Sequence, residues 1–275
     1  MKNQSFAFKC SGISMAFLLL FCGAEAQFSG VLGKAKDKLE QKARNAVDKG
    51  LEGASPSAES TTTSEETGKK RISMSGGFDF KAGDSVLFKS NFDKFATGAL
   101  PNNWKTNGSG QLVKSGDIAG TWLELQNGAT YKLNRNYKLP VQFTIEFDLL
   151  TSCDKIGDIN PVTFGFANNN SVSEFNEGDI AHTQLEFYNR DKISSFAGPV
   201  NKSSYTNFDL SVFANAARHI AIAVDGEQMK VYIDKTKVLD SKMFRENAAK
   251  YFFISAPMHT DNDAKVYFSN VVIAK

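Results

Sequence analysis

Residues 140–150, PVQFTIEFDLL, alternate strictly between apolar and polar side chains. In an extended chain Val141, Phe143, Ile145, Phe147 and Leu149 point one way, and Gln142, Thr144, Glu146 and Asp148 point the other. A period of two marks a β-strand with one buried and one more polar face. The β-branched and aromatic content, and the proline at its start, agree with that reading. This stretch is therefore expected to be a central strand of a large antiparallel sandwich.

The same grammar recurs through residues 78–275. Short apolar runs fall at 86–88, 121–125, 129–133, 162–167, 183–189, 193–197, 219–224, 229–233, 237–239, 251–255 and 264–274, with turn signals between them. Asp225-Gly226 lies between two alternating runs and predicts a tight hairpin; Asp234-Lys235-Thr236 predicts a second turn. Only 211–217 and 244–250 read as helical, and both are short. Twenty-three phenylalanines suit a core built from alternating aromatics. Many strands and few helices make the fold class all-β, an antiparallel jelly-roll β-sandwich.

Ahead of this domain the chain changes character three times. Lys2 and Lys9, the apolar run 13–21 (ISMAFLLLF) and Ala24-Glu25-Ala26 form a secretory signal, residues 1–26, cleaved at Ala26-Gln27. The run is too short to span a bilayer. A lipid-modified Cys22 fits poorly, because bulky Phe21 stands where a small residue is wanted. Residues 27–52 hold a short amphipathic helix, with Leu32, Ala35, Leu39, Ala43, Ala46, Val47 and Leu51 at helical spacing. Its alanine-rich stripe is narrow and its polar face carries both charge signs. It reads first as a solvated helix and second as a contact for an envelope protein or membrane surface through residues 31–51. Residues 53–77 are a disordered linker rich in Ser, Thr and Glu.

The formal charge is only +2, so nothing in the balance recommends nucleic acid as a partner. Cleavage removes Lys2, Lys9 and Glu25, a net +1, and leaves +1. Cys10 and Cys22 lie in the signal, so the mature chain keeps Cys153 alone and relies on its apolar core rather than a disulfide.

Residues 86–92 (VLFKSNF), Gly98, Leu100-Pro101, Trp104, Trp122-Leu123 and the 140–150 run resemble the start of concanavalin A-like, laminin G-like jelly-roll domains. The hairpin at 221–239 looks like their paired sugar-sheet strands, and YFSNVVI at 267–273 like the closing strand that pairs back with the first. The arrangement of helix, polar linker and sandwich is similar to the exported part of Bacteroidetes-type OmpA-family outer-membrane proteins. That resemblance implies a periplasmic, secreted or outer-membrane-associated protein. With the last strand ending at Lys275, the family's peptidoglycan-binding domain is not expected within this chain. The resemblance further implies a sugar site on a concave outward sheet face, an argument from fold alone.

Chemistry-bearing residues fall in three groups. Glu146 and Asp148 share a strand face about 7 Å apart at ~3.4 Å per residue. A carboxylate pair at such a separation can serve glycoside chemistry. Thr151 stands where jelly-roll glycosidases often add a third carboxylate, and the simpler reading is a solvated strand face. His182, Gln184, Glu186, Tyr188 and Arg190 form a second polar stripe suited to sugar hydroxyls; if both strands share a sheet, the two groups share a face. Asp261-Asn262-Asp263 offers oxygens to Ca²⁺ but reads more simply as a turn. Trp104 and Trp122 are expected in the core. The three histidines show no metal spacing, and no nucleophile motif occurs. The expected function is an exported cell-envelope module that binds a glycan or envelope polysaccharide. The alternatives are a carbohydrate-active hydrolase or lyase using Glu146 and Asp148, and a non-catalytic structural envelope protein.

Overall fold

A computed structural model describes residues 78–275, apart from Asn136, Tyr137 and Arg190. The expected signal, helix and linker lie outside the described residues. Among the described residues fifteen strands form two sheets. Sheet A runs β13 (Thr236–Lys242), β12 (Gln228–Ile233), β11 (Ala217–Asp225), β6 (Gln142–Ser152), β15 (Lys265–Ala274), β4 (Thr121–Leu125) and β3 (Gly110–Lys114), with β1 (Val86–Ser90) also paired to β15. Sheet B runs β10 (Lys202–Asn207), β9 (Lys192–Ala197), β8 (Asp179–Leu185), β7 (Val162–Ala167), β14 (Tyr251–Ser255), β5 (Thr130–Leu133) and β2 (Trp104–Thr106). Every pairing between these strands is antiparallel. The architecture is the jelly-roll sandwich that the alternation predicts.

Strand β6 is the middle of sheet A, between β11 and β15. Phe143, Ile145, Phe147 and Leu149 are buried beneath it. Phe147 meets Phe164 at 5.4 Å and Phe252 at 5.7 Å between ring centroids, and Phe143 meets Phe166 at 5.5 Å. These rings come from β7 and β14 of the other sheet, so the sheets are joined by edge-to-face and tilted aromatic contacts, each side chain contributing about 1.5–3 kcal/mol through burial. Val141 is an exception to the expected inward set: it precedes the strand and is 60% exposed. The closing strand pairs back with the first, with Phe88 opposite Ile273 and Ser90 opposite Val271.

The predicted hairpin is present. Asp225 pairs with Gln228, and Gly226 takes φ +57 at the first loop position, which a side chain would disfavour. Asp234 (φ +50) and Lys235 turn the chain from β12 into β13. Neither short helical reading survives as an α-helix. Residues Leu210–Phe213 form a 3₁₀ turn capped by the Asp209 carboxylate, which accepts from the Ser211 N–H. At 244–250 a single turn closes from Ala248 N–H to Arg245 O, and left-handed Asn247 (φ +56) stops any helix there. The run read as a strand at 183–189 instead begins at Asp179 and ends at Leu185, and Phe187–Asn189 form a 3₁₀ turn that drops Phe187 into the core.

Two peripheral segments decide which outer faces are covered. Residues 168–178 lie over the β5–β14 half of sheet B. Thr130, Lys132, Phe253 and Ser255 point away from the core there, yet all are fully buried. The Lys132 ammonium donates to the carbonyls of Asn169, Ser171 and Glu177, and Asn176 bonds both Thr130 and Ser255. Residues 78–84 form a strap across sheet A. Phe78 and Phe80 stack edge-on against Tyr232, and Asp79 accepts from Lys230, Tyr232 and Lys237.

Candidate functional site

The half of sheet B that residues 168–178 leave open is built from β8, β9 and β10. Ala181, Thr183 and Leu185 of β8 are buried, and Ala181 and Leu185 belong to the core. The alternation therefore sends His182 and Gln184 outward. On β9, Ile193, Ser195 and Ala197 are buried inward, and Lys192, Ser194 and Phe196 face out. Pairing sets His182 opposite Phe196, and Ser194 opposite Tyr205 of the edge strand β10.

The result is a row of rings across three strands. His182 and Phe196 lie 5.5 Å apart, Phe196 and Tyr205 meet edge-on at 5.7 Å, and the Lys192 ammonium sits 4.5 Å above the Tyr205 ring. Tyr205 is 57% exposed, and Tyr188, in the turn after β8, is 58% exposed. Gly165 of β7 faces His182 in register, and a Cβ there would fall 2.2 Å from the Ala181 carbonyl oxygen, so only glycine permits the close approach of β7 and β8. His182 is oriented by the Asp179 carboxylate, and the Gln184 amide donates to Thr163.

Not every residue of the expected stripe belongs to this surface. Past the end of β8 the outward parity continues, but the Glu186 side chain is covered by its neighbours. Glu186 is buried, accepts from the Ser194 hydroxyl and the Tyr188 phenol, and stands 3.7 Å from the Lys192 ammonium. It braces Ser194, Lys192 and Tyr188 within the outer layer and is too covered to meet a ligand. Arg190 lies outside the described residues. The sequence does not single out Tyr205, because the run KSSYTN has no alternation to flag an edge strand, nor Phe196, whose strand 193–197 is recognisable but whose outward parity is set only by pairing.

Glu146 and Asp148 are elsewhere. Strand β6 belongs to sheet A and β8 to sheet B, so the two carboxylates and the Gln184 stripe occupy opposite outer faces of the sandwich. Antiparallel register sets His219 of β11 opposite Asp148. Its Nδ1 lies 2.8 Å from Asp148 and its Nε2 3.1 Å from Glu146, and Asn270 donates to the other Asp148 oxygen at 2.7 Å. The Asp148 hydrogen bond, ahead of that to Glu146, raises the imidazole pKa above its ordinary value. Both carboxylates are thus occupied by one imidazole. Glycoside hydrolysis needs one carboxyl for the leaving oxygen and another for water or the anomeric carbon. His219 was missed because strand partnership decides this contact, although a lone histidine at the outward parity of an apolar run was a signal.

A cleft of about 590 Å³ also lies on the outer face of sheet A, toward β3 and β4. Trp122 lines it. Trp104 is in the core as expected, but Trp122 has the outward parity of β4 and is buried under the loop at 115–120, donating its indole N–H to Ala119 O.

Asp261, Asn262 and Asp263 form a turn. Asn262 and Asp263 are both left-handed (φ +49 and +55), and Ala264 N–H donates to Asp261 O at 3.0 Å, the pattern of a type I′ turn. The Asp261 carboxylate is bonded to His259, and among the described residues no group of three or more His, Cys, Asp or Glu gathers as metal ligands. Ca²⁺ wants six to eight oxygens, so this donor set does not fit it.

No protein-family model matches the chain, and no curated protein sequence does. Among solved structures the chain is similar to the carbohydrate-binding module CBM66 from Bacillus subtilis, at 15% identity and a TM-score of 0.43, over 63% of this chain and 96% of that one. It is similar to the exoplasmic/lumenal domain of VIP36 in its Ca²⁺/Man2-bound form, at 11% identity and a TM-score of 0.49, over 67% of this chain and 85% of that one. It is also similar to the binding domain of botulinum neurotoxin serotype D, at 15% identity and a TM-score of 0.48, over 70% of this chain and 47% of that one.

Proposed function

We propose that this chain is an exported, non-catalytic module of the cell envelope that binds glycan on the open half of sheet B. The observation that carries the reading is the ring row His182–Phe196–Tyr205, continued by Lys192, with Gln184 and Tyr188 beside it. Sugars present C–H faces that pack on aromatic rings and hydroxyls that need fixed donors and acceptors, and this surface offers both. The row ends at the edge strand β10, and residues 168–178 cover the neighbouring β5–β14 half of the sheet, so the rings form an open surface rather than a closed pocket. Export through a signal ending at Ala26, association with the envelope through residues 31–51, and kinship with the exported part of OmpA-family proteins belong to the same reading and rest on the sequence features alone.

A glycan array probed with the full chain tests it. Binding should be seen without sugar release, and Tyr205→Ala or Phe196→Ala should weaken it by about 1–3 kcal/mol, as for truncation of an aromatic anchor. Binding that ignores both substitutions would place the ligand elsewhere. Mass spectrometry of the native protein should find Gln27 first; an intact Met1 or an acylated Cys22 would refute the export reading.

A further inference from the structure

The cleft on sheet A is separate from the ring row, since the two open on opposite sides of the sandwich. Its floor and walls follow from strand register. Tyr267 of β15 lies directly between Leu150 of β6 and Glu124 of β4. Trp122 stands two residues along β4 on the same face, and Ile118 of the covering loop closes the side. The loop is held in place: the Asp117 and Ile118 N–H groups both donate to the Ser115 hydroxyl, and Trp122 holds Ala119.

The chemistry of the lining selects a ligand class. Val113, Ile118 and the Tyr267 ring supply an apolar surface, with Leu150 and Trp122 packed directly behind it. The Tyr267 hydroxyl and the Ser152 hydroxyl have no hydrogen-bond partner among the described residues, and both line the cleft. Glu124 is the acceptor beside them, its carboxylate steadied by Lys265 at 3.4 Å and Gln111 at 3.3 Å. Burial, with Glu124 adjacent, pushes the Tyr267 phenol above its ordinary pKa, so it stays a neutral donor. The charges around the opening, Lys114 and Lys265 against Asp117 and Glu124, cancel, so neither an anion nor a cation is favoured. An apolar floor, two unengaged hydroxyls and one fixed carboxylate suit a small ring with one C–H face and several hydroxyl donors. The volume lies within the range usual for small-ligand sites.

We propose that this cleft is a second saccharide site, taking one or two neutral pyranose-sized rings, so that the module is two-sided. The ligand class is shared with the function proposed above, but the site does not depend on the ring row.

The chain itself carries the reporter. It has two tryptophans, one in the core and one in the cleft. With ¹⁵N-tryptophan in the full chain, two indole signals appear, and Trp122→Phe assigns the one from the cleft. Titration with glucose, galactose, mannose, N-acetylglucosamine, cellobiose and maltose should move the Trp122 signal saturably for at least one sugar. Tyr267→Phe should weaken that binding about three- to tenfold, the loss of one hydrogen bond, and Tyr205→Ala should leave it unchanged. A Trp122 signal that none of these sugars moves overturns the proposal, even if array binding through Tyr205 holds. A shift abolished by Tyr205→Ala overturns it too, because one site then accounts for both. A saturable shift alongside array binding that ignores Tyr205→Ala and Phe196→Ala supports the cleft and removes the ring row instead.

Discussion

At the scale of single residues, His219 has a carboxylate at each ring nitrogen, and only the imidazolium can donate to both. The groups facing it are Asp148 and Glu146 from β6, Asn270 of β15 through Asp148, and Asp234, whose carboxylate accepts the His219 backbone N–H. Its folded-state pKa is raised above the unfolded value near 6.5, so its contribution to stability is complete below that value and is lost as pH rises through the raised one. Denaturation measured from pH 5 to pH 9 should show that loss in the native chain, and His219→Gln should flatten it; an unchanged pH dependence would mean the imidazole is not charged here. Lys132 is a buried cation, its pKa lowered chiefly by desolvation and its ammonium bonded to three carbonyls. Lys132→Met should cost about 1–3 kcal/mol and increase amide exchange at 168–178, where a purely local defect would not. The carboxylate pair was legible in the sequence as a pattern along one strand. The histidine that occupies it was not, because contacts between strands depend on register that no single strand encodes.

At the scale of elements, the strands found are those that carry an apolar run, the one-sided β1 and β13 included, and the three overlooked are β2, β3 and β10. Strands β2 and β10 are the two edges of sheet B, and β3 ends sheet A. Each of the three buries at most one side chain and carries polar residues that discourage further pairing, so its apolar pattern is weak for a physical reason. The strap at 78–84 was equally hidden, having no period of its own; its value lies in Phe78, Asp79 and Phe80 reaching Tyr232, Lys230 and Lys237. Removing residues 1–77 should leave the thermal midpoint nearly unchanged. Removing 1–84 should cost about 1–3 kcal/mol, the scale of a pair of aromatic contacts, because it also takes Gly83, whose N–H donates to Thr144. Deleting residues 266–273 should abolish cooperative folding, since β15 joins β6, β4 and β1. A soluble product with a sharp transition would refute that topology.

At the scale of the whole molecule, a sandwich keeps stability in its middle and recognition on its outsides, so substitutions should sort by layer rather than by position in the chain. Phe147 is fully buried and its ring meets Phe164, Phe252 and Phe268, so Phe147→Ala should cost about 3–5 kcal/mol. Tyr205→Ala removes an exposed ring that touches Phe196 and Lys192, and should cost no more than about 1 kcal/mol of stability while removing a binding contact. Glu186 is the deciding case. Judged by its place in an alternating stripe it belongs with Tyr205, yet it is covered by its neighbours and accepts from Ser194 and Tyr188. Glu186→Ala should leave those hydroxyls without an acceptor and lower stability by about 1–3 kcal/mol, weakening glycan binding only through the displaced Tyr188. Denaturant midpoints for the three variants should therefore fall in the order Tyr205→Ala, Glu186→Ala, Phe147→Ala, from least to most damaged. If Glu186→Ala matched Tyr205→Ala in stability but lost binding outright, the carboxylate would be reaching the ligand rather than bracing Ser194 and Tyr188.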